Sequence, residues 1–202
     1  MSDNFYKTLN VDIYPLKAEV STYPMNTNPG PEFTQYNRDE LSPEILDFFE
    51  SRQIKLKDTF SLKLFMFTAE KRPHNGYRTD GDYDSPPNTD CVLIWIAIPE
   101  NKSKFVFANT ENSTHSYDEV ASCTIWEGTT PISVNMEFTS KPILANTQIP
   151  HYMETEITKN VVCYLKLNFD ESWSSMVAKL SDDIFVPAEK IIEGYVPPYK
   201  PI

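Results

Sequence analysis

The stretch Cys91-Val92-Leu93-Ile94-Trp95-Ile96-Ala97-Ile98, closed by Pro99, decides how the chain is read. It is apolar at alternate and intervening positions alike, so both faces of an extended segment here need cover, which indicates a central strand. On its N-terminal side Phe60, Leu62, Leu64 and Met66 alternate with more polar partners, as in a half-buried strand over residues 60–68. On its C-terminal side residues 103–107 and 120–126 read as short strands separated by turn residues. Ile132, Val134, Met136 and Phe138 then alternate cleanly with Ser133, Asn135 and Glu137. Residues 142–145 and 161–167 bring the total to seven or eight strands.

Helices flank this series. Ser42-Pro43-Glu44 combines a capping hydroxyl, a proline at the first helical position and an acid at the positive end of the dipole. The helix it starts carries Ile45, Leu46, Phe48 and Phe49 and runs to about Arg52. Asp170 is expected to cap a second helix, in which Trp173, Met176, Val177 and Leu180 share one face. Residues 1–40 read as an extended arm with one strand at 11–15, and the chain from Pro187 onward as a proline-rich extended tail. The expected organisation is an arm and helix over 1–58, a β core over 59–168, and a helix and tail over 169–202. Many short strands with few helices call for a mainly β protein, a sandwich or barrel. We expect a jelly roll, the double-stranded β-helix, with flanking helices; the Cys…Trp…Cys spacing of an immunoglobulin-type sandwich is missing.

Composition narrows the function. The chain has 202 residues, suited to one domain, and a formal net charge of −11. Such an acidic surface without a Lys/Arg stripe repels a phosphate backbone, so no nucleic-acid partner is expected. Five glycines and no GxGxxG or GxxxxGK motif argue against a Rossmann or P-loop protein. The 40% hydrophobic content is enough for a real core. The first ten residues have neither a basic start nor an apolar run, so no signal peptide is expected. No apolar run approaches the ~20 residues of a membrane span. Cys91, Cys123 and Cys163 form no CxxC pair and read as buried reduced thiols. A cytoplasmic protein follows, with the sequons at Asn101 and Asn112 incidental.

Only three histidines are available for chemistry: His74, His115 and His151. His115 lies in the polar stretch Asn112-Ser113-Thr114-His115-Ser116, read as a solvated loop. His74 sits in the turn Arg72-Pro73-His74-Asn75-Gly76. His151 follows Ile149-Pro150 at a strand edge, where the proline fixes the direction of the chain. Asp80-Gly81-Asp82-Tyr83-Asp84 places carboxylates at alternate positions, but Ser85 and Cys91 stand where a calcium loop needs Gly and Glu. No GxSxG elbow or HExxH helix occurs.

The order of these segments resembles the iron(II)- and 2-oxoglutarate-dependent oxygenases, particularly the aspartyl/asparaginyl-hydroxylase-like branch. The resemblance covers roughly residues 60–168, and rests on the Asp80-Gly81 turn before the buried strand and on Pro142-Ile143-Leu144-Ala145-Asn146-Thr147-Gln148-Ile149-Pro150-His151. It implies an iron(II) ion held by two imidazoles and one carboxylate on one face of an octahedron. It also implies a basic side chain on a following strand for the far carboxylate of 2-oxoglutarate. Carried over by residue, Asp80 and His151 are metal ligands, and Lys159 or Lys166 is the basic partner.

One departure is large. Where the family has the first histidine of His-x-Asp, this chain reads Arg78-Thr79-Asp80. A guanidinium has no lone pair to give a metal, so Arg78 cannot be a ligand. His74 becomes the candidate third ligand, reaching the metal if its loop folds back. Lys166 shares a strand face with Val162 and Tyr164, opposite Val161, Cys163 and Leu165, without indication of which face looks inward.

Three readings stand. The chain is an active dioxygenase using His74 or water as third ligand and acting on a small molecule or peptide. Alternatively it is a degenerate member without metal or cosubstrate, with Arg78 filling the vacant site or binding a small anion. Or it is a non-catalytic β-sandwich, such as a virion or assembly protein. A cupin lacks support because no His-x-His cluster is present. The aromatics of the arm (Phe5, Tyr6, Tyr14, Tyr23, Phe33, Tyr36) either cover an edge strand or build the interface of a homo-oligomer.

Overall fold

A computed structural model describes residues 5–18, 32–56, 62–68, 77–80, 84, 91–96, 103–120, 123–137, 141–155, 161–169, 171–181 and 184–186. In chain order the elements are β1 (Tyr6–Thr8), β2 (Glu32–Tyr36), α1 (Pro43–Glu50), β3 (Leu62–Thr68), β4 (Tyr77–Asp80) and β5 (Cys91–Ile96). They continue with β6 (Ser103–Asn109), β7 (Thr114–Asp118), β8 (Cys123–Glu127), β9 (Thr130–Glu137), β10 (Ile143–Asn146), β11 (His151–Thr155), β12 (Val161–Asn168) and α2 (Trp173–Leu180). The protein is mainly β. Its strands form two six-stranded sheets, ordered β1-β10-β5-β12-β3-β2 and β7-β8-β4-β11-β6-β9.

The pairing is nested as well as antiparallel. β3 pairs with β12, β4 with β11, β5 with β10 and β6 with β9. The chain thus runs outward through β3, β4, β5 and β6 and returns through β9, β10, β11 and β12. Successive rungs of this long hairpin fall in alternate sheets. The apolar run at Cys91 is β5, flanked by β10 and β12, which is the central place that its two-sided apolar pattern requires.

The arm supplies both edges of the first sheet. β1 pairs with β10, and β2 pairs with β3. Residues 11–15 are not the arm's strand: they form no strand, and Val11 and Ile13 pack against the core beside the helices instead. Among the described arm aromatics, Tyr6 and Tyr36 are buried whereas Tyr14 is exposed; Tyr23 and the Phe33 side chain lie outside the described residues.

One face of the first sheet meets the helices. Leu144 of β10 and Leu167 of β12 join Ile45, Phe48, Phe49, Phe169, Met176 and Leu180 in one cluster. Full burial of side chains of this size contributes about 1.5–3 kcal/mol each. Ser42 caps α1, its hydroxyl accepting from the Ile45 amide at 3.3 Å and donating to the Tyr14 carbonyl at 2.7 Å. The cap of α2 is Ser172 rather than Asp170, with Oγ accepting from the Ser175 amide at 3.2 Å. Asp170 and the tail from residue 187 lie outside the described residues. Among those residues no helix is long and apolar enough to cross a membrane.

The other face of the first sheet meets the second sheet. Tyr6 stacks on Phe107 of β6, with ring centroids 6.4 Å apart, and Phe5 reaches the same ring at 5.5 Å. The far face of the second sheet has its own cluster of Tyr77, Val106, Ala108 and Trp126, with Tyr152 packed against it. His115 belongs there too: it sits on edge strand β7, not in a loop, with its ring 4.6 Å from that of Trp126 and Nε2 3.0 Å from the Asp84 carboxylate.

Candidate functional site

Strand alternation decides which side chains can meet. On β4, Tyr77 and Thr79 turn to the far cluster, and the Trp126 indole donates to the Thr79 hydroxyl at 3.2 Å. Arg78 and Asp80 therefore turn the opposite way, toward the first sheet. Asp80, expected in a turn with Gly81, instead ends a strand whose body is Arg78-Thr79-Asp80. Its neighbour β11 begins at His151, which stands directly across from Arg78 in the register. Side chains opposite one another in an antiparallel pair share a face, so Arg78, Asp80 and His151 lie together.

The fourth member arrives from the other sheet. Leu167 points to the helices, so Lys166 beside it points between the sheets, and this settles the face left open by alternation alone. Its ammonium donates to the Asp80 carboxylate, an ion pair joining β12 to β4. The two side chains are 15% and 17% exposed, so solvent screens the pair only in part. Of the residues singled out from sequence, Asp80, His151, Arg78 and Lys166 thus converge. His74 and Lys159 lie outside the described residues.

The connection between β10 and β11 fixes this arrangement. The Asp80 amide donates to the Thr147 carbonyl at 3.1 Å, and the Gln148 side-chain amide donates to the Asp80 carbonyl at 3.2 Å. The Gln148 amide is in turn held by Asn146 Oδ1 at 3.2 Å. The Ala108 amide donates to the Pro150 carbonyl at 2.8 Å, placing His151 beside Phe107, whose ring lies 6.2 Å from the imidazole. Sequence reasoning missed Gln148 and Phe107 as site residues; the Asn146-Thr147-Gln148 run before Ile-Pro-His was the available signal for the first.

Electrostatics follow from these contacts. Burial by itself raises the Asp80 carboxyl, but Lys166 first, then His151 and Arg78, outweigh it and hold the group at about 2 against an ordinary 3.8. Burial lowers His151 most, with Arg78 and Lys166 adding to it against the pull of Asp80 and the Ile149 carbonyl, down to about 4 from 6.5. The ring is therefore neutral at pH 7. Its Nδ1 lies 2.9 Å from the Ile149 carbonyl, an acceptor only, so Nδ1 carries the proton and Nε2 the lone pair. Cys123, opposite Asp80 on β8, is buried, and burial raises its thiol, which makes it no nucleophile at neutral pH.

These residues do not fit a divalent metal. An imidazole Nε2 and a carboxylate are suitable donors, and a backbone-anchored Nδ1–H is the usual orientation for a ligating histidine. The strand position opposite His151, however, holds a guanidinium, and the carboxylate is already neutralised by an ammonium. An ion there would meet two fixed positive charges. Among the described residues no group of three or more His, Cys, Asp or Glu side chains is placed to hold a metal. At neutral pH, Arg78, Lys166, Asp80 and a neutral His151 sum to one positive charge, which suits an anion. The chain matches no protein-family model, and no curated protein matches it in sequence.

Proposed function

We propose that the chain is a double-stranded β-helix protein of the iron(II)/2-oxoglutarate oxygenase kind whose metal centre has been replaced by a binding site for a small anion. The nested pairing of β3 to β6 with β12 to β9, in rungs that alternate between two sheets, supports the fold. The resemblance in sequence supports the kinship, with Asp80 and His151 on neighbouring strands as that relation requires. The observation that carries the reading is the register: Arg78 stands across from His151, on the face where Asp80 is bound by Lys166. The position that should bring a third metal donor brings a cation.

Thermal denaturation tests this. A ligand that binds the native state raises its stability by RT ln(1 + [L]/Kd), about 2.7 kcal/mol at a hundredfold excess over Kd. The reading predicts no stabilisation by iron(II) or manganese(II), none beyond that of the acid alone when 2-oxoglutarate is present, and stabilisation by short carboxylates in the absence of metal. Stabilisation by manganese(II) plus 2-oxoglutarate that disappears in His151→Ala would instead establish an active oxygenase centre. Indifference to both would leave a structural β-sandwich.

A further inference from the structure

We infer that Arg78 alone anchors the ligand, and that the site takes a singly charged carboxylate in preference to a dicarboxylate. The inference rests on the anion-binding reading above and narrows it to a ligand class.

Two cationic side chains face the site, and they are not equivalent. Lys166 is engaged: its ammonium bonds the Asp80 carboxylate from the opposite sheet, and both side chains are mostly shielded. Drawing Lys166 toward a ligand would strand the Asp80 charge between the sheets, a loss that a weak exchangeable ligand does not repay. Arg78 is different. It is half-buried, and among the described residues its guanidinium makes no hydrogen bond or ion pair. A planar fork of N–H donors matches a carboxylate in bidentate geometry, which a lone ammonium does not.

The second carboxylate of a dicarboxylate has no counter-charge left on this face among the described residues. Asp80 is two residues from Arg78 along β4 and shares its face, about 7 Å away at the strand repeat. A five-carbon dicarboxylate held at Arg78 would bring its far end toward the Asp80–Lys166 pair, whose charges already cancel and leave no cation to receive it. The chain thereby departs from the oxygenase resemblance in its choice of small acid as well as in its metal.

Pentanoate and glutarate make the comparison, since they share chain length and differ by one carboxylate. Both are titrated calorimetrically into the full chain at pH 7.5 and matched ionic strength. We expect pentanoate to bind about tenfold tighter than glutarate, and Arg78→Gln to abolish pentanoate binding. Asp80→Asn, which releases Lys166, should shift the preference toward glutarate. Glutarate binding as tightly as pentanoate, or more tightly, in the unsubstituted chain overturns the inference while leaving the anion site intact. Failure of both acids to bind removes the anion site and the inference with it. Should Asp80→Asn not fold, the two titrations of the unsubstituted chain decide the matter.

Discussion

Replacing His151 by glutamine and following stability against pH probes the site through its least ordinary group. His151 is 3% exposed, and burial above all keeps its ring neutral down to about pH 4, against 6.5 for a free imidazole. The unfolded chain takes up a proton on this ring below pH 6.5, whereas the folded chain does not until about 4. Across that window the unfolded state binds more protons, so stability falls as pH falls. Integrated from 6.5 to 4, the loss is about 3 kcal/mol. For a chain of this length that is a drop in Tm of roughly 6–12 °C. Asp80 acts in a lower range: its depressed pKa stabilises the fold fully above 3.8, and that contribution is lost as pH falls toward 2. The two effects therefore separate. Glutamine retains a polar side chain but cannot take the proton, so the slope between pH 6.5 and 4.5 should flatten. Urea denaturation at constant ionic strength, run in half-unit steps on both proteins, supplies the curves. Parallel curves for the two proteins across this window would refute the assignment of a buried, neutral imidazole.

Lys166→Met should destabilise the fold by about 2–3 kcal/mol, toward the lower end of what breaking a buried pair costs, because both side chains retain some exposure. Adding Asp80→Asn should recover most of that loss in a double-mutant cycle by urea denaturation; additive losses would mean the pair does not join the sheets energetically. Ser42→Ala removes the cap of α1 and the bond to Tyr14, and should cost about 1–2 kcal/mol by the same assay.

What could be read from sequence follows the reach of each physical signal. The strand at Cys91 and the alternation from Ile132 were legible because a period of two needs no knowledge of partners. The cap at Ser42 was legible because its hydrogen bond closes within three residues. Strand β7 was not, since its residues are largely exposed and edge strands with two wet faces carry no alternation. Asp80 reads as part of a turn because Gly81 follows it directly and both faces of the short strand before it bear polar groups. The choice of Asp80 and His151 as neighbours came from resemblance alone. The Asp80–Lys166 pair lay beyond sequence altogether, its members 86 residues apart and on different sheets. Only the helix-facing burial of Leu167 fixes the direction of Lys166.

On the proposed reading, a guanidinium stands where a third metal donor would complete a centre with Asp80 and His151. Calorimetric titration of manganese(II) into the Arg78→His variant puts this to the test, alongside the unsubstituted chain and the Arg78→His, His151→Ala double variant. One-to-one binding is expected for the first and none for the other two. Manganese(II) binding to the unsubstituted chain that depends on His151, or no binding to Arg78→His in a folded state, would contradict it.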